Sequence, residues 1–301
     1  MAFWFVINET ILPLAVILGI AYGFQKLFHG DPKQFNNLVL FVLLPVNIFH
    51  ELSLRQVGFS AIGRPLLFMA LLTSSLVAVA WVCARLLRLD SQQRVSFILS
   101  VAMINVGNFG LSLIFFTYGP EANDSALLTF VAFNIPLTTL AIYFSSNQQS
   151  RLGAFKDVLK IPIFHATLLA LTLTSCGVQV PAGVHKVTGY LSQATFPLFT
   201  FVFGMQLAEM TFTRTMLRAV FAASALRLVI SPLLAFFFLT MIGVSGMNFR
   251  VGLVQTSTPA PILPLMYAIR FNRSPDLLAA IIIVTTVLSA LTLPLVIAFA
   301  G

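Results

Sequence analysis

Two short polar stretches interrupt an otherwise apolar sequence, and they hold the residues best suited to bind a ligand. The first is Asn105-Val106-Gly107-Asn108-Phe109-Gly110, which places two carboxamides and two glycines in one apolar run. A carboxamide both donates and accepts hydrogen bonds, so Asn105 and Asn108 can bind a carboxylate, a hydroxyl group or a cation. Glycine and unpaired polar groups are costly inside a membrane helix. With Gly107 and Gly110 also present, this stretch predicts a helix that is interrupted at a polar site.

The second stretch is rich in proline and reads Thr258-Pro259-Ala260-Pro261, with Pro264 shortly after it. Each proline removes a backbone donor and clashes with the preceding turn, so a continuous helix cannot run through it. Non-helical backbone at membrane depth is stable only inside protein or beside a wet cavity, and we therefore expect the two interruptions to meet. The helices that follow them would offer N–H groups and partial positive charge to an anion. Alternatively, glycine and proline are simply common in membrane helices, and asparagine joins one helix to another.

Two further polar residues, Asn47 and Arg227, are candidates for the same site. Asn47 follows Pro45 in an apolar run and could face the cavity. Arg227 lies within a longer apolar run, on the order of 12 Å from its predicted cytoplasmic end at about 1.5 Å per residue. An arginine at that depth can extend to the headgroups or serve the structure, or it can act as the counter-charge for an anion arriving from the cytoplasm. The sequence leaves both interpretations open.

The composition places all these residues in a membrane. Hydrophobic residues make up 58% of the 301 residues and charged residues only 9%, whereas globular domains have about 45–50% and about 25%. Ten stretches are long enough to cross a bilayer, with only short loops between them. Nine contain no Asp, Glu, Lys or Arg, and the other contains Arg227 as its single charged residue. The ten predicted spans are approximately Thr10–Gln25, Gln34–His50, Pro65–Ala84, Val95–Pro120, Ser125–Ser150, Ile161–Val184, Val187–Ala208, Ala219–Met241, Val251–Ile269 and Leu277–Ala300.

The distribution of positive charge predicts the orientation of these spans. Twelve of the seventeen lysines and arginines lie in loops that follow odd-numbered spans, and four lie in the other loops. Because cytoplasmic loops are enriched in basic residues, both termini should lie outside the cytoplasmic membrane. The net charge of +8 is therefore spread over loops, and no nucleic-acid partner is expected, since that would need basic residues on one face. The spans contain no Asp or Glu, which argues against proton transfer through a buried carboxylate.

The two halves of the chain resemble each other around the polar stretches. When Arg94 is aligned with Arg250, Asn105 falls opposite Pro261 and Asn108 opposite Pro264. An odd number of spans per repeat inverts the second copy, so residues 1–150 and 151–301 are predicted to be two inverted five-helix repeats. Together they would form one integral membrane domain, an all-α polytopic fold with broken, crossing fourth and ninth helices.

The chain resembles the auxin efflux carrier family, including its bacterial members described as malonate or malate transporters. The resemblance covers essentially the whole chain, and its strongest part is the segment from Arg94 to Gly110. Ile11-Leu12-Pro13, Leu44-Pro45, Pro197 and Thr258-Pro259-Ala260-Pro261 also match. The family pattern resembles Asn-Thr-Gly in the fourth span, where this chain has Val106 and an additional Asn108. In the ninth span the family often has an asparagine that this chain lacks.

The resemblance implies a function as well as a fold. It implies a homodimer in membrane lipid whose transport bundle moves like an elevator against a scaffold and carries small carboxylate anions. We expect no cofactor apart from a possible coupling proton or sodium ion. A sodium-coupled symporter or antiporter of the bile-acid type is the alternative. An enzyme is not expected, because His-Glu-x-x-His, Gly-x-Ser-x-Gly and a buried Asp pair are all missing from the sequence.

Overall fold

The computed structural model describes residues 12–54, 59–122, 125–126, 128–130, 132–133, 162–211 and 213–301. These residues form helices joined by short turns, and no strand occurs among them. The helices that we label within this part of the chain are α1 (Leu12–Phe28), α2 (Pro32–Leu54), α3 (Phe59–Leu86), α4 (Ser91–Ala102), α5 (Asn108–Tyr118), α6 (Pro162–Ser175), α7 (Ala182–Glu209), α8 (Arg214–Met241), α9 (Gly246–Thr256), α10 (Leu263–Phe271) and α11 (Pro275–Ala300).

These helices fall where the sequence predicts apolar spans. Helices α4 and α5 share the fourth predicted span, and α9 and α10 share the ninth. By length and composition, four of the described segments can cross a membrane: Pro32–Leu54, Gly63–Leu86, Arg214–Met241 and Pro275–Ala300. Most of the fifth predicted span lies outside the described residues. The all-helical membrane fold is thus confirmed, whereas the count of ten spans and the inverted repeat stay predictions.

The helices pack into two groups. Helices α1, α2, α6 and α7 form the first group, in which α1 packs along α7 and α2 packs against both α6 and α7. The second group contains α3, α4, α5, α8, α9, α10 and α11, with α3 against α4 and α11 against α4, α8 and α9. Both interrupted spans therefore belong to the second group.

A small set of polar contacts joins the two groups at one end of the molecule. The buried Asn36 side chain donates from Nδ2 to the Met266 carbonyl at 2.9 Å. Gln206 donates from Nε2 to Oδ1 of Asp276 at 3.1 Å. These bonds connect α2 and α7 of the first group to α10 and α11 of the second.

Local sequence explains where the short helices begin and end. Asp90 starts α4 through a capping box, in which its carboxylate accepts from the backbone of Gln93 and the Gln93 side chain accepts in return. The helix ends where Met103 becomes extended, at φ −84° and ψ 142°. In the ninth span, Pro259 and Pro261 lack the N–H groups that a continuing helix needs. Pro264 lies in the first turn of α10, where a missing N–H costs nothing.

Candidate functional site

The two interruptions form a single buried junction, which we define as residues 103–107 between α4 and α5 and residues 257–262 between α9 and α10. Helix α4 packs against α10, and α5 packs against α9, so the first half of each span lies beside the second half of the other. Residues 257–261 are all buried. The expected meeting of the two polar stretches is therefore observed.

A glutamine that the sequence analysis did not single out links the two interruptions. Gln255 in the last turn of α9 is fully buried, and its Nε2 donates to the Val106 carbonyl at 2.7 Å. The same nitrogen donates to the Ala126 carbonyl at 3.2 Å. The Val106 carbonyl lies in the non-helical chain between α4 and α5, so the side chain supplies a donor that a continuous helix would have supplied itself. Its Oε1 has no hydrogen-bond partner among the described residues.

Gly110 allows this close approach. A Cβ at position 110 would lie 2.8 Å from the Asn105 carbonyl oxygen and 2.8 Å from Cγ of Gln255. Gly107 is less restricted, because a Cβ there would come no closer than 3.5 Å, to the Phe130 ring. The second glycine of the motif is thus required by packing, whereas the first is not.

Arg227 is the most deeply buried charged group at the junction. It lies in a π-helical turn of α8, Leu226–Ile230, and has 0% of its surface exposed. Its guanidinium donates from Nε to the Thr258 carbonyl at 2.8 Å, from Nη2 to the Thr256 carbonyl at 2.5 Å and from Nη1 to the Val101 carbonyl at 3.1 Å. The side chain therefore does not extend to a headgroup region.

These three carbonyls lie at the C-terminal ends of α4 and α9. Val101 is in the last turn of α4, and Thr256 is the last residue of α9. Because the C-terminal end of a helix carries partial negative charge, the guanidinium lies where two such ends converge. In the described part of the chain no carboxylate pairs with it, so backbone oxygens balance its charge.

The remaining candidates from the ninth span are held by local hydrogen bonds. The Thr258 hydroxyl donates to the Gln255 carbonyl at 2.9 Å. The Ala260 N–H donates to Oγ1 of Thr285 in α11 at 3.2 Å. Pro259 and Pro261 are buried between these two anchors. The hydroxyl of Thr258 is therefore already engaged, and the segment contributes a fixed backbone shape.

The candidates from the fourth span lie at the start of α5. Asn105 is half-buried, and within the described residues its carboxamide makes no hydrogen bond, although its main-chain oxygen accepts from Gly110 at 3.0 Å. Gly107 is also half-buried, and its carbonyl accepts from the Leu111 N–H at 2.7 Å. Asn108 is the first residue of α5. Among the described residues, Asn105 thus joins Gln255 Oε1 as a polar group of the junction with hydrogen-bonding capacity to spare.

Asn47 lies in α2, in the other helix group. It is buried, and its Nδ2 donates to the hydroxyl of Ser192 in α7 at 2.7 Å. A hydrogen bond between two buried side chains on packed helices is the joining role that the alternative interpretation gives to asparagine. The structure therefore brings Asn105, Gly107, Gly110, Arg227 and the Thr258–Pro261 segment together, but it does not bring Asn47 to them.

A cavity of about 300 Å³ lies in the second group, beside α9. Its polar lining includes Arg64, Ser125, Thr129 and Asn248. Gly252, one turn before the end of α9, also lines it. The wall of the cavity thus reaches to within about one helical turn of the end of α9.

Comparison with known protein families gives a consistent result over nearly the whole chain. A family model described as "Membrane transport protein" matches residues 6–153 and matches again at residues 151–297. The two matches divide the chain close to residue 150.

Individual relatives are likewise named as transporters or carriers. An "Uncharacterized transporter" of Methanothermobacter thermautotrophicus is 29% identical over 298 residues, which cover 96% of each chain. A second protein of that description, from Methanocaldococcus jannaschii, is 24% identical over 95% of this chain and 96% of its own. "Auxin efflux carrier component 1" of Arabidopsis thaliana is 26% identical over 135 residues, or 43% of this chain and 22% of that protein.

Proposed function

The chain belongs to the membrane transport protein family, the family of the auxin efflux carriers, and from this premise we propose that it is a secondary transporter for a small organic anion. The resemblance to auxin efflux carriers is thereby confirmed, and the protein is a transporter and not an enzyme. The proposed substrate is a monocarboxylate or dicarboxylate, similar in kind to auxin, malonate or malate. The proposed location is the cytoplasmic membrane, with both termini outside.

The observation that supports an anion is the distribution of charge at the junction. Arg227 neutralises the negative ends of α4 and α9. The N-terminal ends of α5 and α10 keep their partial positive charge. The N–H groups of Gly110 and Leu111 in α5 and of Leu265 in α10 already donate to nearby carbonyls, and Pro264 has no N–H, so only the first N–H groups of each helix remain for a ligand. The free carboxamide of Asn105 lies at the first of these ends. An anion placed there would meet positive charge and a hydrogen-bond donor together.

The proposed mechanism is elevator-type alternating access between two inverted repeats, residues 1–150 and 151–301. The family model matches once in each half, and the two interruptions fall at nearly equivalent positions. The helix group that contains the junction is the proposed moving body, with crossing fourth and ninth spans, and α1, α2, α6 and α7 are the proposed scaffold. The proposal also includes ten membrane spans per chain and a homodimer in membrane lipid.

The test is thermal unfolding of the detergent-purified protein with a panel of monocarboxylates and dicarboxylates, each with and without sodium. A ligand that binds only the folded state stabilises it by about 2.7 kcal/mol at roughly one hundred times its Kd. We expect at least one carboxylate to raise the Tm. Without ligand, the Asn105→Leu variant should have nearly the same Tm as the wild-type protein, and the carboxylate should no longer raise it.

Asn47→Leu is the matched control, because it replaces another asparagine that lies in the scaffold group. It should keep the carboxylate response. If no carboxylate changes the Tm of the wild-type protein, the anion assignment is wrong, and cations and neutral solutes become the candidates.

A further inference from the structure

The carbonyl oxygens around Arg227 form a cage, which we define as the main-chain oxygens of Val101, Thr256 and Thr258. All three accept hydrogen bonds from the guanidinium, at 3.1, 2.5 and 2.8 Å respectively. The hydroxyl of Ser231, in the same helix as Arg227, lies 3.4 Å from the Thr256 oxygen. The cage thus draws its oxygens from both interrupted spans, and the Ser231 hydroxyl is a second donor to one of them.

A cage of this kind has the chemistry of a sodium site. Unwound carbonyls and the C-terminal ends of half-helices are the groups that coordinate Na⁺ in transporters with broken helices. Their oxygens carry partial negative charge, and when they are buried away from solvent they need a cation or hydrogen-bond donors. In this chain the cage holds a covalently attached cation, since Arg227 has 0% of its surface exposed.

The charges around the cage indicate that Arg227 and a second cation cannot occupy it together. The described acidic residues are Asp31, Glu51, Asp90, Glu121, Glu209 and Asp276, and all lie at or near the ends of predicted spans. None of them pairs with Arg227 in the described part of the chain. A second cation in the same cage would face the guanidinium at close range without a compensating anion, and that is strongly unfavourable at low dielectric.

We propose that Arg227 is a built-in cation that takes the place of a coupling sodium ion, so that the junction is assembled and the substrate is moved without an alkali cation. Only the statement about substrate movement rests on the proposed transport function. The assembly of the junction is a property of the protein without substrate. It also gives a physical reason to prefer uncoupled or proton-coupled transport to the sodium-coupled alternative.

The first experiment measures thermal unfolding of the purified wild-type protein, without substrate, in matched sodium, potassium and choline salts. We expect the same Tm in all three. A Tm that is higher in sodium than in both other salts would mean that a sodium ion binds despite the guanidinium, and the proposal would be overturned.

The second experiment removes the attached cation and offers a free one. Arg227→Ala should have a Tm several degrees below the wild-type value, and low millimolar guanidinium should restore part of that loss, because the free ion can enter the vacated cage. Arg218→Ala is the matched control, since Arg218 lies in the same helix and is exposed. Guanidinium should not raise its Tm. Equal effects of guanidinium on the two variants would contradict the proposal.

If Arg227→Ala does not fold, Arg227→Lys provides the measurement. An ammonium group is a point charge and cannot reach three carbonyls as a planar guanidinium does, so this variant should fold with an intermediate Tm. A wild-type Tm in Arg227→Lys that then rises in sodium would contradict the proposal. Failure of the carboxylate panel leaves these results unaffected, so the built-in cation and the anion substrate are tested separately.

Discussion

The side chain of Gln255 donates to the main-chain oxygen of Val106 across 2.7 Å, and this bond joins the two interrupted spans directly. The residues are far apart in sequence and lie on opposite sides of the junction. Because Gln255 is in the last turn of α9 and Val106 is between α4 and α5, the bond holds the end of one half-helix against the start of another. The junction is therefore a structure that neither span can form alone.

Replacing Gln255 with leucine should destabilise the protein without the loss of an apolar contact. The substitution removes the donor for two buried carbonyls, those of Val106 and Ala126. A buried acceptor left without a partner costs about 1–3 kcal/mol, so the free energy of unfolding should fall by roughly that amount. Chemical unfolding of the purified protein measures it. Gln179→Leu, at an exposed position, should change the value little, and equal effects in both variants would show that the junction bond is unimportant.

The two glycines of the fourth span should respond differently to alanine. Gly110→Ala places a Cβ 2.8 Å from the Asn105 oxygen, so backbone or Gln255 must move, at about 1–3 kcal/mol for overpacking. Gly107→Ala makes an ordinary contact at 3.5 Å with the Phe130 ring and should be tolerated. The measurement is the Tm of each variant and its carboxylate response. If the two alanine variants unfold at the same temperature, the close approach at Gly110 is not a constraint.

Asn47 and Asn105 should separate a structural asparagine from a ligand-binding one. Asn47→Leu leaves the buried Ser192 hydroxyl without its donor and should lower the free energy of unfolding by about 1–2 kcal/mol. Its stabilisation by a carboxylate should remain, in contrast to that of Asn105→Leu. Unfolding curves with and without the carboxylate give both quantities. Loss of the ligand response in Asn47→Leu at unchanged stability would place Asn47 at the binding site.

The native cysteines report the orientation of the chain. Cys176 is exposed at the end of α6, in a loop expected outside the cell. Cys83 is half-buried near the C-terminal end of α3, which is expected on the cytoplasmic side. A membrane-impermeant maleimide added to intact cells should therefore label the protein through Cys176. The Cys176→Ser variant should lose this label. Labelling that appears only after the cells are opened would reverse the proposed orientation.

The sequence predicts the interruptions well because their causes are local. Pro259 and Pro261 cannot donate the hydrogen bonds of a helix, and glycines and asparagines weaken one wherever they occur. Those effects act within one turn of the residue itself. The breaks therefore appear in the structure where the composition of the fourth and ninth spans predicts them.

The partners of the junction could not be predicted in the same way. Gln255 reads as one polar residue at the end of an apolar segment, and its importance depends on the approach of Val106 from the other half of the chain. Arg227 lies at a depth from which a side chain can extend to the headgroups or remain inside, and only the converging carbonyls decide between them. The neighbouring proline makes Asn47 a candidate, but its amide donates to Ser192 on a facing helix.

If the junction group moves across the membrane as proposed, the burial of Arg227 also determines how transport responds to membrane voltage. A body that slides across the membrane carries this fixed positive charge with it whether or not substrate is bound. With a monovalent anion bound, the two charges cancel at the junction, so the voltage acts mainly on the empty body. One elementary charge crossing a full potential of about 100 mV changes the energy by about 2.3 kcal/mol. A negative interior would draw the empty body towards the cytoplasm, where it can load again, and would thereby favour export.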